Sequence, residues 1–264
     1  MTPALFTYQL ATRLAAPAFG LVLQARASKG KEDILRLNER FAKRLPPRRP
    51  GPLVWLHGAS VGESRVLLEL GRRLLAERPG LLLLFTSQTQ TSARLMGKEI
   101  PESAIHSMAP IDTPMAARRF IEHWRPDLCI FAEGEIWPNL ILEAKRAGVR
   151  RALVNARMTD KSAEGWARVK GMFRELIGSF DVILAADTDT GARLEGLLGR
   201  AVRVPGNLKS AQSPPEANPV DLARISGSFL NGRRCFVAAS THPGEEEMLL
   251  DATARFSDAA FIIV

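Results

Sequence analysis

Cysteine is almost missing from this chain: 264 residues contain two, Cys129 and Cys235, far apart and without a C-x-x-C partner. That excludes a disulfide-stapled secreted scaffold and a cysteine-built zinc site. Each cysteine sits inside an apolar, strand-like run, so both are expected to be buried, reduced thiols of a cytosolic compartment. Histidine is scarce as well, at four scattered residues, and no metal ligand set is expected from it. Aromatic residues make up 6%. With so few, and with no RNP-type aromatic strand or uninterrupted basic tract, a nucleic-acid partner is not expected. No repeat or low-complexity tract occurs, and no small-residue cleavage site marks a removed signal peptide.

What is present is a 46% hydrophobic composition, enough for one large or two smaller cores. Lys and Arg number 36 against 28 acidic residues, a formal charge of +8 that favours phosphates or acidic lipid as partners. Residues 4–23 are mostly apolar but carry Gln9, Arg13 and Pro17, and Arg26, Lys29 and Lys31 follow. Twenty residues suffice to cross a bilayer as a helix, yet Arg13 near the centre costs about 2.5–3.5 kcal/mol on insertion scales. The segment therefore reads as a membrane-surface or signal-anchor element, or as an amphipathic helix packed on its own domain.

From residue 52 onward, short apolar runs alternate with helically periodic stretches, the rhythm of a parallel sheet wrapped by helices in a Rossmann-like α/β domain. Strands are expected at 52–57, 81–86, 104–108, 127–132, 151–155, 181–185 and 201–205, and helices at 64–77, 114–123, 138–147 and 190–198. Ser213, Pro214, Pro215, Asn218 and Pro219 break the composition and read as a linker. A new strand, 235–239, and a new helix follow, and the chain stops at Val264 inside another apolar run, which reads as a truncation.

Ligands of open α/β sheets bind beyond the carboxyl ends of strands, so chemistry-bearing side chains there deserve the closest reading. Residues 55–63, W-L-H-G-A-S-V-G-E, leave a strand through a Gly-punctuated turn and place Glu63 at the sheet mouth as a candidate general base. Ser60-x-x-Glu63 equally satisfies a capping box. Glu133 and Glu135 follow a second strand and precede a helix at Pro138, where the helix dipole alone also favours carboxylates; Glu135 reads as the structural member. Arg157 offers a planar fork to phosphate or carboxylate, or an ion pair to Glu133 or Glu135. Asn207 and Lys209 lie close to the linker, and a lysine there suits a developing anion or is simply solvated. Ser240, Thr241, His242 and Gly244 form an anion-friendly helix start or ordinary caps. The hydroxyl-rich loop 86–91 suits phosphate or sugar hydroxyls.

Six stretches occur in the order seen in 3-deoxy-D-manno-octulosonic acid (Kdo) transferases of Gram-negative bacteria. They are W-L-H-G-A-S-V-G-E (55–63), M-A-P-I-D-T-P (108–114), E-G-E-I-W-P-N-L (133–140), V-N-A-R-M-T-D-K-S (154–162), G-N-L-K (206–209) and A-A-S-T-H-P-G-E-E (238–246). The chain resembles this family along nearly its whole length. The resemblance implies a GT-B fold with a complete N-terminal Rossmann-like domain and the start of a second, truncated one. Residues 1–30 would anchor to membrane, 31–210 form the acceptor domain, 211–231 the linker, and 232–264 the beginning of the CMP-Kdo-binding domain. It implies inverting, metal-independent transfer of Kdo from CMP-Kdo to a lipid A precursor, without cofactor, at the cytoplasmic face of the inner membrane.

By position, Glu63 matches the family's catalytic base, and Glu133 and Lys209 match residues assigned to transition-state stabilisation. Ser60, Gly62, Arg157, Asn207, Ser240, Thr241, His242 and Glu245 are expected to bind substrate. Two departures stand out: the family's T-x-T-x-T-G loop ends here in Ser92 rather than Gly, and G-N-L-K-F-D continues here as Ser210 and Ala211. The family's P-R-H-P-E-R donor motif is expected beyond Val264, so this chain by itself is expected to show little transferase activity. A lipid-binding module without catalysis, or a GT-B transferase with another nucleotide sugar, are the rival readings.

Overall fold

The computed structural model describes residues 1–211, 217–256 and 258–264, and the chain divides into two compact units, Met1–Gln212 and Ser213–Val264. In the first, helices α1 (Pro3–Leu14) and α2 (Ala16–Ser28) precede a 3-10 turn (Ile34–Arg36) and a single helical turn, α3 (Leu37–Arg40). Six repeats of strand then helix follow. These are β1 (Leu53–His57) and α4 (Val61–Glu77), β2 (Leu82–Ser87) and α5 (Gln90–Glu99), β3 (Ile105–Met108) and α6 (Pro114–Trp124), and β4 (Leu128–Ala132) and α7 (Pro138–Arg146). The last two are β5 (Arg150–Ala156) with α8 (Asp160–Arg168) and α9 (Lys170–Leu176), and β6 (Val182–Ala185) with α10 (Thr188–Leu198).

The six strands form one parallel sheet in the order β3-β2-β1-β4-β5-β6. Both faces of it are covered, which is why the strands read as unbroken apolar runs rather than alternating ones. Alternate residues serve opposite cores. Leu53 and Trp55 of β1 and Cys129 and Phe131 of β4 join Phe120, Trp124, Leu140 and Phe173 on one face. Val54, Leu56, Ile130 and Ala132 join Leu67, Leu68 and Met96 of α4 and α5 on the other.

Helix starts follow from local chemistry. Ser60, Thr89, Thr113, Thr159 and Asp187 each accept a backbone N–H three residues on, capping α4, α5, α6, α8 and α10. Helix α7 has no cap of its own at Trp137. Its free N–H groups at Asn139 and Leu140 donate instead to the buried carboxylate of Asp112, which also accepts from Tyr8 Oη at 2.8 Å. Burial pushes the Asp112 pKa up against these hydrogen bonds, and burial followed by the Asp112 charge pushes the Tyr8 hydroxyl up. One carboxylate thus joins α1, the β3–α6 loop and α7.

Four expectations change. Residues 201–205 are not a strand: Arg203 makes one isolated bridge to Leu184, and Pro205 has no N–H to extend the ladder. The apolar N-terminal segment is two helices of 12 and 13 residues, with Pro17 in the first turn of the second. Each spans about 20 Å at 1.5 Å per residue, and no helix among the described residues is long and apolar enough to cross a membrane. Leu5 and Leu23 are buried, whereas Phe6, Leu10, Leu14, Leu21 and Val22 are exposed.

In the second unit, α11 (Pro219–Arg224) runs into a π-helical turn (Ile225–Leu230), so helix occupies part of the span read as linker; residues 212–216 lie outside the described residues. Strand β7 (Arg234–Ala238) pairs in parallel with β8 (Ala259–Ile263) across α12 (Glu245–Thr253). Cys129 is buried as expected, but Cys235 is exposed, because most of β7 lies uncovered.

The approach of α4 to the sheet depends on Gly71, where a Cβ would stand 2.6 Å from Phe85 Cζ and 3.0 Å from Leu83 Cδ1. Phe85 is fully buried and cannot swing away. Gly71→Ala is expected to destabilise by about 1–3 kcal/mol despite alanine's better helix propensity, as overpacking outweighs the gain. Chemical denaturation measures it.

Candidate active site

Strands β1 and β4 are neighbours in register, with His57 opposite Phe131. Their carboxyl ends release two turns side by side. In the first, Glu63 lies in the opening turn of α4, 7% exposed. Its Oε2 accepts from Ala59 N at 2.7 Å and its Oε1 from Ser60 Oγ at 2.6 Å, while its own N–H donates to Ser60 Oγ at 3.3 Å. Ser60 therefore caps α4, and the Glu63 carboxylate reaches back to Ala59 N rather than to Ser60 N, a variant of the capping box that holds it at the strand end. Gly58 allows this: a Cβ there would stand 2.9 Å from Glu63 Cβ.

From the second turn, Glu133 Oε1 meets Lys209 Nζ at 2.7 Å. Lys209 Nζ also lies 3.7 Å from where a Cβ on Gly62 would be, so the amine stands between the two turns. Asn155 fixes this arrangement from β5. Its Nδ2 donates to Glu133 Oε1 at 3.3 Å and its Oδ1 accepts from Leu208 N at 2.9 Å. Glu133 has φ +56° and Asn155 φ +52°. Asparagine tolerates this left-handed backbone, but glutamate seldom adopts it, and such strain concentrates at functional sites. Asn207 Oδ1 accepts from Lys209 N at 3.0 Å, shaping the lysine's turn.

Glu135, read from the sequence as structural, is the electrostatically perturbed member. Its pKa rises to about 7, chiefly through burial and then through the charges of Glu63 and Glu133, against a hydrogen bond from Trp137 Nε1 at 2.6 Å. His57 Nε2 lies 3.8 Å from Glu135 Oε2. This is not an ion pair, because burial and then the Arg40 charge lower the His57 pKa to about 3, leaving the ring neutral. Thr86 Oγ1 sits 2.8 Å from both Trp55 Nε1 and His57 Nδ1. The indole can only donate, so the Thr86 hydroxyl accepts from Trp55 and shares a second hydrogen bond with His57 Nδ1.

This geometry can be set beside known proteins. Residues 35–212 match the sequence profile of 3-deoxy-D-manno-octulosonic-acid transferases (kdotransferases). The chain belongs to the Kdo transferase family. A 3-deoxy-D-manno-octulosonic acid transferase of Rickettsia bellii is 36% identical over 92% of this chain and 58% of its own length. One from Bordetella pertussis is 35% identical over 93% and 58% respectively. The chain thus spans less than two thirds of these relatives. Among solved structures, the UDP-GlcNAc 2-epimerase of Neisseria meningitidis matches with TM-score 0.53 at 13% identity, covering 81% of this chain and 65% of that one. That likeness concerns fold alone, and the fold class is the expected α/β, GT-B type.

Within this Kdo transferase unit, the structure brings Ser60, Gly62, Glu63, Glu133, Asn207 and Lys209 together. Arg157 stands differently: its Nη1 is 4.0 Å from Asp187 Oδ2, both side chains being over 40% exposed, so its acidic neighbour is Asp187 rather than the alternative, Glu133 or Glu135. Ser240, Thr241, His242 and Glu245 belong to the second unit. There Gly244, not Ser240 or Thr241, is the N-cap of α12, and Glu245, Glu246 and Glu247 fill its first turn. The Thr241 hydroxyl bonds Glu246 and His242 N donates to Glu245 Oε2 at 2.9 Å, so the chain's own carboxylates occupy this helix start. Asn155 was overlooked, although an asparagine at the carboxyl end of an apolar strand was the available signal. Thr86 opens the hydroxyl-rich loop 86–91, but its bonds to Trp55 and His57 had no local signal, nor had the places of His57 and Trp137 beside Glu135.

Glu135 makes stability depend on pH. Its native pKa exceeds its unfolded value, so the native state binds more protons between about pH 4.5 and 7, and stability falls as pH rises through that window. Glu135→Gln removes this penalty while keeping an acceptor for Trp137. Melting curves should show the variant gaining on the parent between pH 4.5 and 8, by on the order of 2 kcal/mol; a constant difference across that range contradicts the assignment.

Proposed function

We propose that the protein transfers Kdo from CMP-Kdo to a lipid A precursor, with inversion at the anomeric carbon and without metal, and that the first unit carries the acceptor side. The observation that carries this reading is the meeting of Lys209 and Glu133 beside the turn that holds Glu63. In the reaction, Glu63 takes the proton of the acceptor hydroxyl as its oxygen bonds to the anomeric carbon. The bond from that carbon to the CMP phosphate breaks, and CMP leaves with the electron pair. Lys209, with its side chain 40% exposed, offsets negative charge on the Kdo carboxylate or the departing CMP. Glu133 favours oxocarbenium character at the anomeric carbon.

Membrane association at the cytoplasmic face belongs to the same reading. It is supported by the exposed apolar side chains of α1 and α2 and by a cavity of about 420 Å³ where Phe6 and Leu10 meet Arg13, Met115 and Arg118. The helices lie against their own domain, with Tyr8 and Gln9 bonded to Asp112 and Asn139, and turn the opposite face outward.

Capping and catalysis by Glu63 separate in Glu63→Gln, whose amide oxygen still accepts from Ala59 N and whose NH2 can donate to Ser60 Oγ, but which takes no proton. With CMP-Kdo and a tetra-acylated lipid A precursor, mass spectrometry should show turnover lowered about 10²–10⁴-fold relative to the unaltered protein, with the melting temperature nearly unchanged. Unchanged turnover refutes the base. EDTA is expected to leave the parent rate unaltered.

A further inference from the structure

Of the helices in the first unit that directly follow strands, α4, α5, α6, α8 and α10 open on a capping Ser, Thr or Asp of their own, and α7 does not. Its first turn is held from outside, and three side chains of α1 complete that hold. Tyr8 Oη donates at 2.8 Å to Asp112 Oδ2, part of the carboxylate that accepts from the N–H groups of Asn139 and Leu140. Gln9 Nε2 donates to Asn139 Oδ1 at 3.2 Å, and Asn139 Nδ2 donates to Thr12 Oγ1 at 3.1 Å and to the Asp112 carbonyl at 2.7 Å. The Thr12 hydroxyl is oriented in turn by donating to the Tyr8 carbonyl at 2.8 Å. Asn139 is fully buried, with both ends of its amide engaged. Leu5, Tyr8, Gln9 and Thr12 recur at helical spacing, so one stripe of α1 carries a buried anchor and this polar grip, while Phe6, Leu10 and Leu14 face outward.

What this grip fixes reaches the crevice. Trp137 is the residue before α7, and its carbonyl accepts from Ile141 N at 2.9 Å as the helix begins. Its indole Nε1 donates to Glu135 Oε2 at 2.6 Å, the only hydrogen bond to that carboxyl among the described residues, and its ring stands edge-on to His57 with centroids 6.4 Å apart. We propose that Tyr8, Gln9 and Thr12 are positioning residues of the crevice: by gripping Asp112 and Asn139 they fix the first turn of α7, and through it the Trp137 indole that sets where the Glu135 carboxyl stands. The groups facing that carboxyl are His57 from β1, itself under the Arg40 charge, Glu63 from α4, and Glu133 from its own turn, with Lys209 countering Glu133. Without the grip, the opening N–H groups of α7 are left to water, the indole is no longer fixed, and the carboxyl moves outward. The coupling stands on these bonds alone; its weight in sugar transfer rests on the function proposed above, in which Glu63 is the base that Glu135 faces.

The test reads the protein without any substrate. Carbon-13 NMR of the glutamate carboxyls, with the Glu135 signal assigned from E135Q, follows its titration, and amide hydrogen exchange follows Asn139 and Leu140. In Y8F/Q9A/T12A, exchange at those two amides should quicken about tenfold or more while the amides of β1 and β4 keep their rates. The Glu135 midpoint should fall by about one pH unit, because burial is the largest cause of its elevation and its loss outweighs that of the indole bond. T12S, which keeps the hydroxyl, should match the unaltered protein, whereas T12A moves both readouts part-way. F6S/L14S, on the outward face of the same helix, should move neither. Should the triple variant not fold, the nearly isosteric Y8F carries the same two expectations in smaller measure. Failure of the Kdo-transfer assay would refute the function proposed above and leave both readouts standing. An unchanged Glu135 midpoint in the folded variant, or one moved equally by F6S/L14S, overturns the coupling. So does faster exchange spread evenly over β1 and β4, the mark of a general loss of stability.

Discussion

The parallel pairing of β1 with β4 governs the chemistry of this unit. In the order β3-β2-β1-β4-β5-β6, the chain winds outward to one side from β1 and then returns to begin the other side with β4. Turns leaving two such strands at the same end diverge and open a crevice. Glu63 leaves from one, Glu133 and Glu135 from the other, and parallel direction puts all three at the same end of the sheet. Had β4 been antiparallel, its carboxylates would lie at the opposite end.

Crowding three carboxylates has an electrostatic cost, and the structure distributes it. Glu133 is matched by Lys209, Glu63 is held by the backbone N–H of Ala59 and the Ser60 hydroxyl, and Glu135 bears the remainder as a pKa near 7. The neutral His57 beneath them adds no charge, and a protonated ring there would be fully buried. Structural and chemical roles of Glu63 do not compete. The capping box that fixes the start of α4 is the same set of bonds that orients the carboxylate in the crevice.

How much was legible in the sequence varies with the range of the interaction. Strands β1 to β6 were readable because each is a short apolar run in a sheet covered on both faces. Helices α4, α6, α7 and α10 were readable from apolar periodicity, and the start of α4 also from Ser60. The stretch 201–205 has the same apolar look as the strands but ends in Pro205, and its one bridge to Leu184 depends on where β6 lies. The N-terminal segment suggested one span by its length, yet Pro17 lies in the first turn of a second helix, and the polar contacts of Tyr8 and Gln9 decide which face packs. Glu135 looked the more structural of two carboxylates from its place beside Trp137. Its perturbed titration comes from burial and from Glu63, which is remote in sequence.

By itself, then, the sequence determined the alternation of strand and helix, the cap at Ser60, and the motifs that identify the family. All of these are written in the chain over a few residues, where hydrogen bonds at i to i+3 and side-chain periodicity act. Only the tertiary structure decided that Lys209 meets Glu133, that Asp112 caps a helix it does not precede, and that His57 stays neutral. Coulomb energies and desolvation depend on distance and burial, and for groups this far apart along the chain both are set by the order of strands in the sheet.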